Sequence, residues 1–168
     1  MKKLITHLTI LFAICTLNVS CDGGDDKRPA IQGEWKMYEQ KITTSETDSD
    51  LDDMLNRFIQ QNLKENETTR TFTELSVKTI IRKKGISGTD GLLSESTDPY
   101  STKGDSLYIE NTLQGGITVA KFLITDNTLT TYRNLSTADI KVVAEGLGID
   151  PNTIPSGISG ELKIKEAR

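Results

Sequence analysis

The chain has 168 residues, with 24 acidic and 20 basic side chains and a formal net charge of −4. This length fits one domain with one core. Because the charge is negative and no long run of lysine and arginine occurs, we do not expect nucleic acid as a partner.

The first twenty residues have the layout of a secretory signal peptide. Lys2 and Lys3 are followed by an apolar stretch that ends at Ser20, directly before Cys21. The apolar stretch is too short and too polar for a membrane-spanning helix, which needs ~20 residues. The ending, Asn18-Val19-Ser20-Cys21, resembles the lipobox of bacterial lipoproteins, although Asn18 stands where that family usually has leucine.

This resemblance implies that residues 1–20 are removed and that Cys21 carries a diacylglycerol; the alternative is a secreted protein with a free Cys21 thiol. Residues 21–30 are rich in aspartate and glycine and predict a flexible tether. Similar acidic tethers occur in Bacteroidetes-type lipoproteins. The resemblance therefore implies attachment to the outer membrane through the lipid, on its cell-surface or its periplasmic face.

Removal of residues 1–20 would limit the available chemistry. His7 is the only histidine, and Cys15 and Cys21 are the only cysteines. Without them, neither Ser-His-Asp or Cys-His catalysis nor a histidine-containing metal site can be built, and no disulfide can form. The run from Asp48 to Asp53 does not fit an EF-hand loop, since Asp53 and Ile59 occupy the positions for glycine and glutamate. We therefore expect no enzyme activity, no cofactor and no metal, although chemistry based on carboxylates alone stays open.

Two helices are predicted among strand-like segments. An apolar stripe within residues 49–66 predicts a helix at about 50–65, and Ser49 or Asp50 can cap its start. Ser136 and Asp139 form a capping box for a helix at 137–145, with Gly146 ending it in a left-handed conformation. Alternating patterns predict strands at 33–43, 69–74, 77–84, 92–97, 106–111, 117–124, 128–133 and 160–165.

Turn-forming residues separate these strands at Asp98–Asp105, Gln114–Gly116 and Asp126-Asn127. The short connections favour an antiparallel, mainly β architecture. Eight such strands can close into an up-and-down barrel, which removes exposed sheet edges. An open sheet or a sandwich is the alternative.

The triplet Gly33-Glu34-Trp35 resembles the signature at the first strand of lipocalins. The later segments from Tyr100, through Gly104–Ile109 and Lys121–Ile124, to Thr128-Leu129 resemble the late strands of lipocalin-like Bacteroidetes lipoproteins. Over residues 31–168 this resemblance implies an eight-stranded barrel that Trp35, with Gly33, plugs at one end. It also implies an arginine over the tryptophan, for which Arg133 and Arg168 are the candidates.

The resemblance further implies a small apolar or amphipathic ligand inside the barrel. Candidate lining residues lie on the late strands, at Leu107, Ile109, Phe122 and Leu129. The alternative is a non-enzymatic structural or interaction module of the outer membrane, with a filled barrel and a protein partner that the sequence does not identify. An apolar stripe on the first helix that is left partly uncovered would favour that alternative.

Overall fold

The computed structural model describes residues 30–45, 50–112 and 115–168. Eight antiparallel strands each pair with the next, and the last pairs with the first, so the sheet is a closed barrel. The predicted lipocalin-like up-and-down barrel is therefore confirmed. The predicted signal peptide, Cys21 and all but the last residue of the predicted tether lie outside the described residues.

The elements follow in chain order and include both predicted helices. They are β1 (Gly33–Thr44), α1 (Asp50–Glu65), β2 (Asn66–Phe72), β3 (Ser76–Lys83), β4 (Leu92–Lys103), β5 (Ser106–Glu110), β6 (Ile117–Thr125), β7 (Thr128–Leu135), α2 (Thr137–Gly146) and β8 (Gly160–Ala167). Short 3-10 turns lie at Gly88–Gly91 and Pro151–Thr153.

The buried apolar side chains form two clusters, whereas the sequence predicts one core. The Trp35 cluster consists of Ile31, Trp35, Phe72, Val77, Leu107 and Leu129. The helix cluster consists of Ile42, Leu51, Leu55, Ile59, Leu135, Ile140, Ala144, Ile149, Ile154, Ile158 and Leu162. Trp35 lies early in β1 and Ile42 lies late, so the two clusters occupy opposite ends of the barrel. We call these ends the Trp35 end and the helix end.

Helix α1 lies along the edge of β1 where β2 has moved away. The pairing of β1 with β2 ends at Lys36. Farther along β1, Asn56 of α1 accepts a hydrogen bond from the Ile42 backbone N–H at 2.9 Å and donates one to its carbonyl at 2.8 Å. The Thr44 N–H donates to Asp52 Oδ1 at 2.8 Å. Since an unpaired strand edge leaves polar backbone groups without partners, these side chains replace a neighbouring strand.

Two predicted boundaries around β2 and β4 are wrong. Strand β2 begins at Asn66, directly after α1, and β4 continues to Lys103, so most of the predicted turn at 98–105 is strand. Tertiary contacts explain the longer β4. Asp98 accepts hydrogen bonds from Thr112, and the Tyr100 ring packs edge-on against Phe72 with 5.1 Å between centroids. These contacts hold residue types that otherwise favour turns in an extended conformation.

The end of α2 also differs from the prediction. The capping box of Ser136 and Asp139 is confirmed at the start of the helix. At the other end the helix includes Gly146, and Gly148 takes the left-handed conformation with a φ of 77°. The Gly148 N–H donates to the Glu145 carbonyl and the Ile149 N–H to the Ala144 carbonyl, both at 2.9 Å. This is a Schellman ending, which places the required glycine two residues later than predicted.

Candidate functional site

The Trp35 end of the barrel is closed by two stacked side chains. Trp35 is fully buried, and its indole N–H donates to the Ile31 carbonyl at 2.7 Å. The Arg168 guanidinium lies over this ring, 4.3 Å from Cζ to the ring centroid. Arg168 Nη2 also donates to the carbonyls of Ala30 and Gln32 at 2.6 Å each. Of the two candidate arginines, Arg168 therefore covers the tryptophan.

The other candidate arginine lies at the helix end. Arg133 Nη2 donates to Asp139 Oδ1 at 2.6 Å, so it pairs with the capping residue of α2. At the closed end, Gly33 has a φ of 124°, which favours glycine, and a Cβ there would lie 3.5 Å from Arg168 Nε. Gly33 is therefore constrained by its backbone conformation, and it lies beside the Arg168 side chain.

A buried ion pair lies inside the barrel beside the Trp35 cluster. Arg70 lies opposite Trp35 in β2, and Glu166 lies opposite Met37 in β8. Arg70 Nε donates to Glu166 Oε1 at 2.6 Å, and Arg70 Nη2 contacts Oε2, so the pair is bidentate. The Glu166 side chain is 0% exposed and that of Arg70 is 11% exposed. The sequence analysis did not predict this pair. In β8, however, alternate residues point to the same face, so Glu166 lies on the inner face with Leu162.

The inner wall beyond this pair is lined by small polar side chains. Residues that lie opposite each other in neighbouring strands point to the same face of a sheet. Thr79 lies opposite both Arg70 and Ser96, so these three share the inner face. Thr79 and Ser96 are only half-buried. Small side chains fill less of the interior of an eight-stranded barrel than bulky ones do.

The four predicted ligand-lining residues share the inner face of the barrel. Leu107 and Leu129 are buried in the Trp35 cluster, and Ile109 and Phe122 are half-buried against it. The structure thus brings all four together, where they pack near the closed end. Their contact with a ligand stays a prediction. Leu107 and Ile109 lie on β5, which pairs with β4, whereas Phe122 lies on β6 and Leu129 on β7.

A concave region lies at the gap where β1 leaves β2. It has a volume of about 400 Å3. Its apolar lining comes from Met37, Tyr38, Leu63 and Ala167, and its charged lining from Lys36, Glu67, Lys84 and Arg168. We call this region the β1–α1 cleft. Sequence reasoning did not find it, because its residues come from both ends of the chain and meet only in the closed barrel.

Hydrogen bonds to Asp98 tie the β5–β6 connection to β4. Its Oδ1 accepts from the Thr112 backbone N–H at 3.0 Å and from the Thr112 hydroxyl at 2.8 Å. These bonds, with a further one from the Ser96 side chain, favour the ionised carboxylate and hold the pKa of Asp98 below its usual value. In the part of the chain that the structure describes, His, Cys, Asp and Glu side chains form no group of three or more suited to a metal ion.

Comparisons with family models, with curated proteins and with solved structures found no significant match for this chain. Among the described residues, no helix is both long enough and apolar enough to cross a membrane.

Proposed function

We propose that the protein is a lipid-anchored protein of the outer membrane whose barrel binds a small amphipathic ligand and catalyses no reaction. The anchor is the diacylglycerol expected on Cys21, and the barrel is the lipocalin-like domain expected from the Gly33-Glu34-Trp35 triplet. The observation that carries the proposal is that the inner wall is unequal, with small polar side chains on one part and apolar side chains on another. Small, half-buried Thr79 and Ser96 share the inner face of the barrel with apolar side chains that include Phe122.

An amphipathic molecule matches this wall in two ways. Its apolar part would pack against Ile109 and Phe122, and its polar part would reach hydroxyl groups on β3 and β4. Trp35 and Arg168 close one end of the barrel and the helix cluster packs the other, so a ligand would enter through a local opening at one of these ends. Ligand sites of this kind combine mostly apolar walls with a few polar groups.

Filling the barrel tests the binding proposal. Ser96→Leu adds an apolar side chain to the inner face, whereas Thr97→Leu adds the same side chain at an exposed neighbouring position of β4. We expect the purified mature protein to take up N-phenyl-1-naphthylamine, a neutral amphipathic fluorescent probe, and Ser96→Leu to abolish uptake. Thr97→Leu should leave it unchanged. Absence of uptake by the unmodified sequence, or equal uptake by all three proteins, contradicts the proposal.

A separate experiment tests the anchor. Mass spectrometry of the mature N-terminus should show diacylglycerol on Cys21, and Cys21→Ala should move the protein from the membrane fraction to the soluble fraction. An unmodified Cys21 thiol in membrane-associated protein would contradict the anchor while leaving the binding experiment unaffected.

One observation favours the alternative of an interaction module. The outward-facing side chains Ile117, Val119 and Leu123 of β6 are exposed and form a mostly apolar stripe on the barrel wall, which the exposed Lys121 interrupts. The stripe expected on α1 is partly covered, since Leu51, Leu55 and Ile59 are buried whereas Phe58 is exposed and Leu63 is half-buried. If the barrel takes up no probe, the β6 stripe becomes the better candidate surface, and Leu123→Lys should then weaken any self-association seen by sedimentation.

A further inference from the structure

We propose that the β1–α1 cleft is a second binding site, at the gap between β1 and β2, for a small anionic amphiphile such as a medium-chain carboxylate. The inference does not rest on the ligand proposed for the barrel interior or on the lipid anchor. It rests on how the cleft is formed, on its apolar walls and on its charge.

The cleft exists because the chain separates β1 from β2. The two strands pair only as far as Lys36, and β1 then has an irregular register between Met37 and Glu39. Helix α1 enters the gap with its last turn, which places Leu63 against the cleft. A volume of about 400 Å3 lies within the roughly 300–1,000 Å3 typical of small-molecule sites.

The apolar walls can hold an alkyl chain. Met37 and Leu63 are half-buried, and the small Ala167 forms part of the lining. Tyr38 is half-exposed beside them. Apolar surface that stays accessible in this way gains free energy when it is covered by an apolar chain. The cleft thus has the hydrophobic half of an amphiphile site.

The charge of the cleft selects an anionic head group. Among the described residues, the cationic side chains of Lys36, Lys84 and Arg168 line it with one side-chain carboxylate, that of Glu67. The cleft therefore carries two positive charges in excess, although the whole chain has a net charge of −4. An anion is attracted locally, while a long polyanion would be repelled by the rest of the surface.

Glu67 competes with that head group for Lys36. Its Oε2 lies 2.5 Å from Lys36 Nζ, and the two side chains are 36% and 58% exposed. Ion pairs at this exposure contribute little to stability, so Lys36 can exchange Glu67 for a ligand carboxylate at small cost. Lys84 Nζ donates to the Leu63 carbonyl, and its charge offsets the partial negative charge at the end of α1.

Calorimetric titration of the purified mature protein with octanoate and with octanol tests the site. We expect octanoate to bind more tightly than octanol, with an affinity that falls as salt is added. Lys36→Gln and Lys84→Gln should each weaken octanoate binding by about three- to tenfold. Glu67→Gln removes the competing carboxylate and should strengthen it. The matched control is Lys78→Gln, which removes an exposed lysine from another ion pair of the barrel.

Tryptophan emission gives an independent readout. Trp35 is the only tryptophan of the chain, and it lies under Arg168, which lines the cleft. Octanoate should therefore change the Trp35 emission with the same concentration dependence as the calorimetric signal. Loss of octanoate binding in Ser96→Leu, which fills the barrel interior, would place the ligand inside the barrel and overturn the inference. Equal effects of Lys36→Gln and Lys78→Gln, or no saturable binding, would overturn it as well.

Discussion

Arg168 covers Trp35 with 4.3 Å between the guanidinium carbon and the ring centroid, and thereby joins the last residue of the chain to its first strand. Its Nη2 also binds two carbonyls that precede β1, those of Ala30 and Gln32. A cation over an aromatic ring contributes about 0.5–2 kcal/mol, and hydrogen bonds from a charged group about 1.5–3 kcal/mol. The Arg168 side chain therefore links the end of β8 to the start of β1.

Replacing Arg168 should destabilise the Trp35 end. We expect Arg168→Ala to lower the free energy of unfolding by about 2–3 kcal/mol, because the ring stacking and both carbonyl contacts are lost. Arg168→Lys should recover part of this, since lysine keeps the charge but not the planar fork. Chemical denaturation followed by Trp35 emission measures both. Arg57→Ala, at an exposed position of α1, is the control, and an equally small effect of Arg168→Ala would contradict the role of the contact.

Removing one partner of the ion pair of Arg70 and Glu166 should lower the free energy of unfolding more than replacing both partners with apolar residues. Glu166→Gln leaves a buried guanidinium without a charged partner, which lowers the free energy of unfolding by about 3–5 kcal/mol. Arg70→Met should be comparably destabilising, because it leaves Glu166 unpaired. The double variant Arg70→Met/Glu166→Leu should be more stable than either single variant, since no buried charge remains.

A double-mutant cycle measured by urea unfolding gives the coupling energy of this pair. The comparison is the ion pair of Lys78 and Glu95, whose side chains are each 43% exposed. Exposed pairs of this kind couple by about 0.2–1 kcal/mol. A coupling energy for Arg70 and Glu166 no larger than that for Lys78 and Glu95 would contradict a stabilising role of the bidentate contact between β2 and β8.

Asn56 should behave as part of the sheet, although it belongs to a helix. Its amide pairs with both backbone groups of Ile42. Asn56→Ala leaves these groups without their partner, and we expect a loss of about 1–3 kcal/mol in the free energy of unfolding. Asn62→Ala, at an exposed position of the same helix, should be close to neutral or slightly stabilising, because alanine favours helix.

Hydrogen exchange separates a local effect from a global one in this variant. The amide of Ile42 should exchange faster in Asn56→Ala than in the unmodified sequence, while amides of β5 and β6, which lie away from α1, keep their protection. Uniform acceleration along all strands would show that Asn56 acts only through global stability.

The sequence predicts local features well where one element determines them. The stripe from Leu51 to Ile59 predicts α1, and Ser136 with Asp139 predicts the start of α2, because spacing and capping are properties of neighbouring residues. The strand alternation also predicts eight strands and their antiparallel order. The alternation does not decide closure of the barrel, because an open sheet or a sandwich fits the same pattern, and it is the pairing of β1 with β8 that closes the sheet.

Features that depend on partners distant in the chain are predicted less well. The extension of β4 through Asp98 and Tyr100 depends on Thr112 and Phe72, which periodicity cannot bring into contact. The pair of Arg70 and Glu166 joins residues separated by 96 positions, and the β1–α1 cleft combines β1, α1 and β8. The unequal inner wall likewise becomes visible only once the strand register aligns Thr79 with Ser96.

Asp98 should make stability depend on pH at the acid end. Its pKa is held below the unfolded value of about 3.9 by hydrogen bonds from Thr112. Because the folded pKa is the lower one, the stabilisation is fully present above the unfolded pKa and is lost as pH falls through the folded pKa. In Asp98→Asn this part of the acid dependence should disappear, so the stability difference from the unmodified sequence should shrink with falling pH.

Urea unfolding across the range from neutral pH to below pH ~3.9 measures this difference. Asp105→Asn is the matched control. Hydrogen bonding to Lys121 lowers the pKa of Asp105 too, but both side chains are well exposed, so solvent screens the contact and its variant should follow the unmodified sequence closely. The Thr112→Val variant supplies the converse experiment, because it removes the hydroxyl donor while Asp98 remains. It should reduce the acid dependence in part, since the Thr112 backbone N–H still donates to the carboxylate.

A stability difference between Asp98→Asn and the unmodified sequence that stays constant with pH would mean that the hydrogen bonds from Thr112 do not depend on the charge of Asp98.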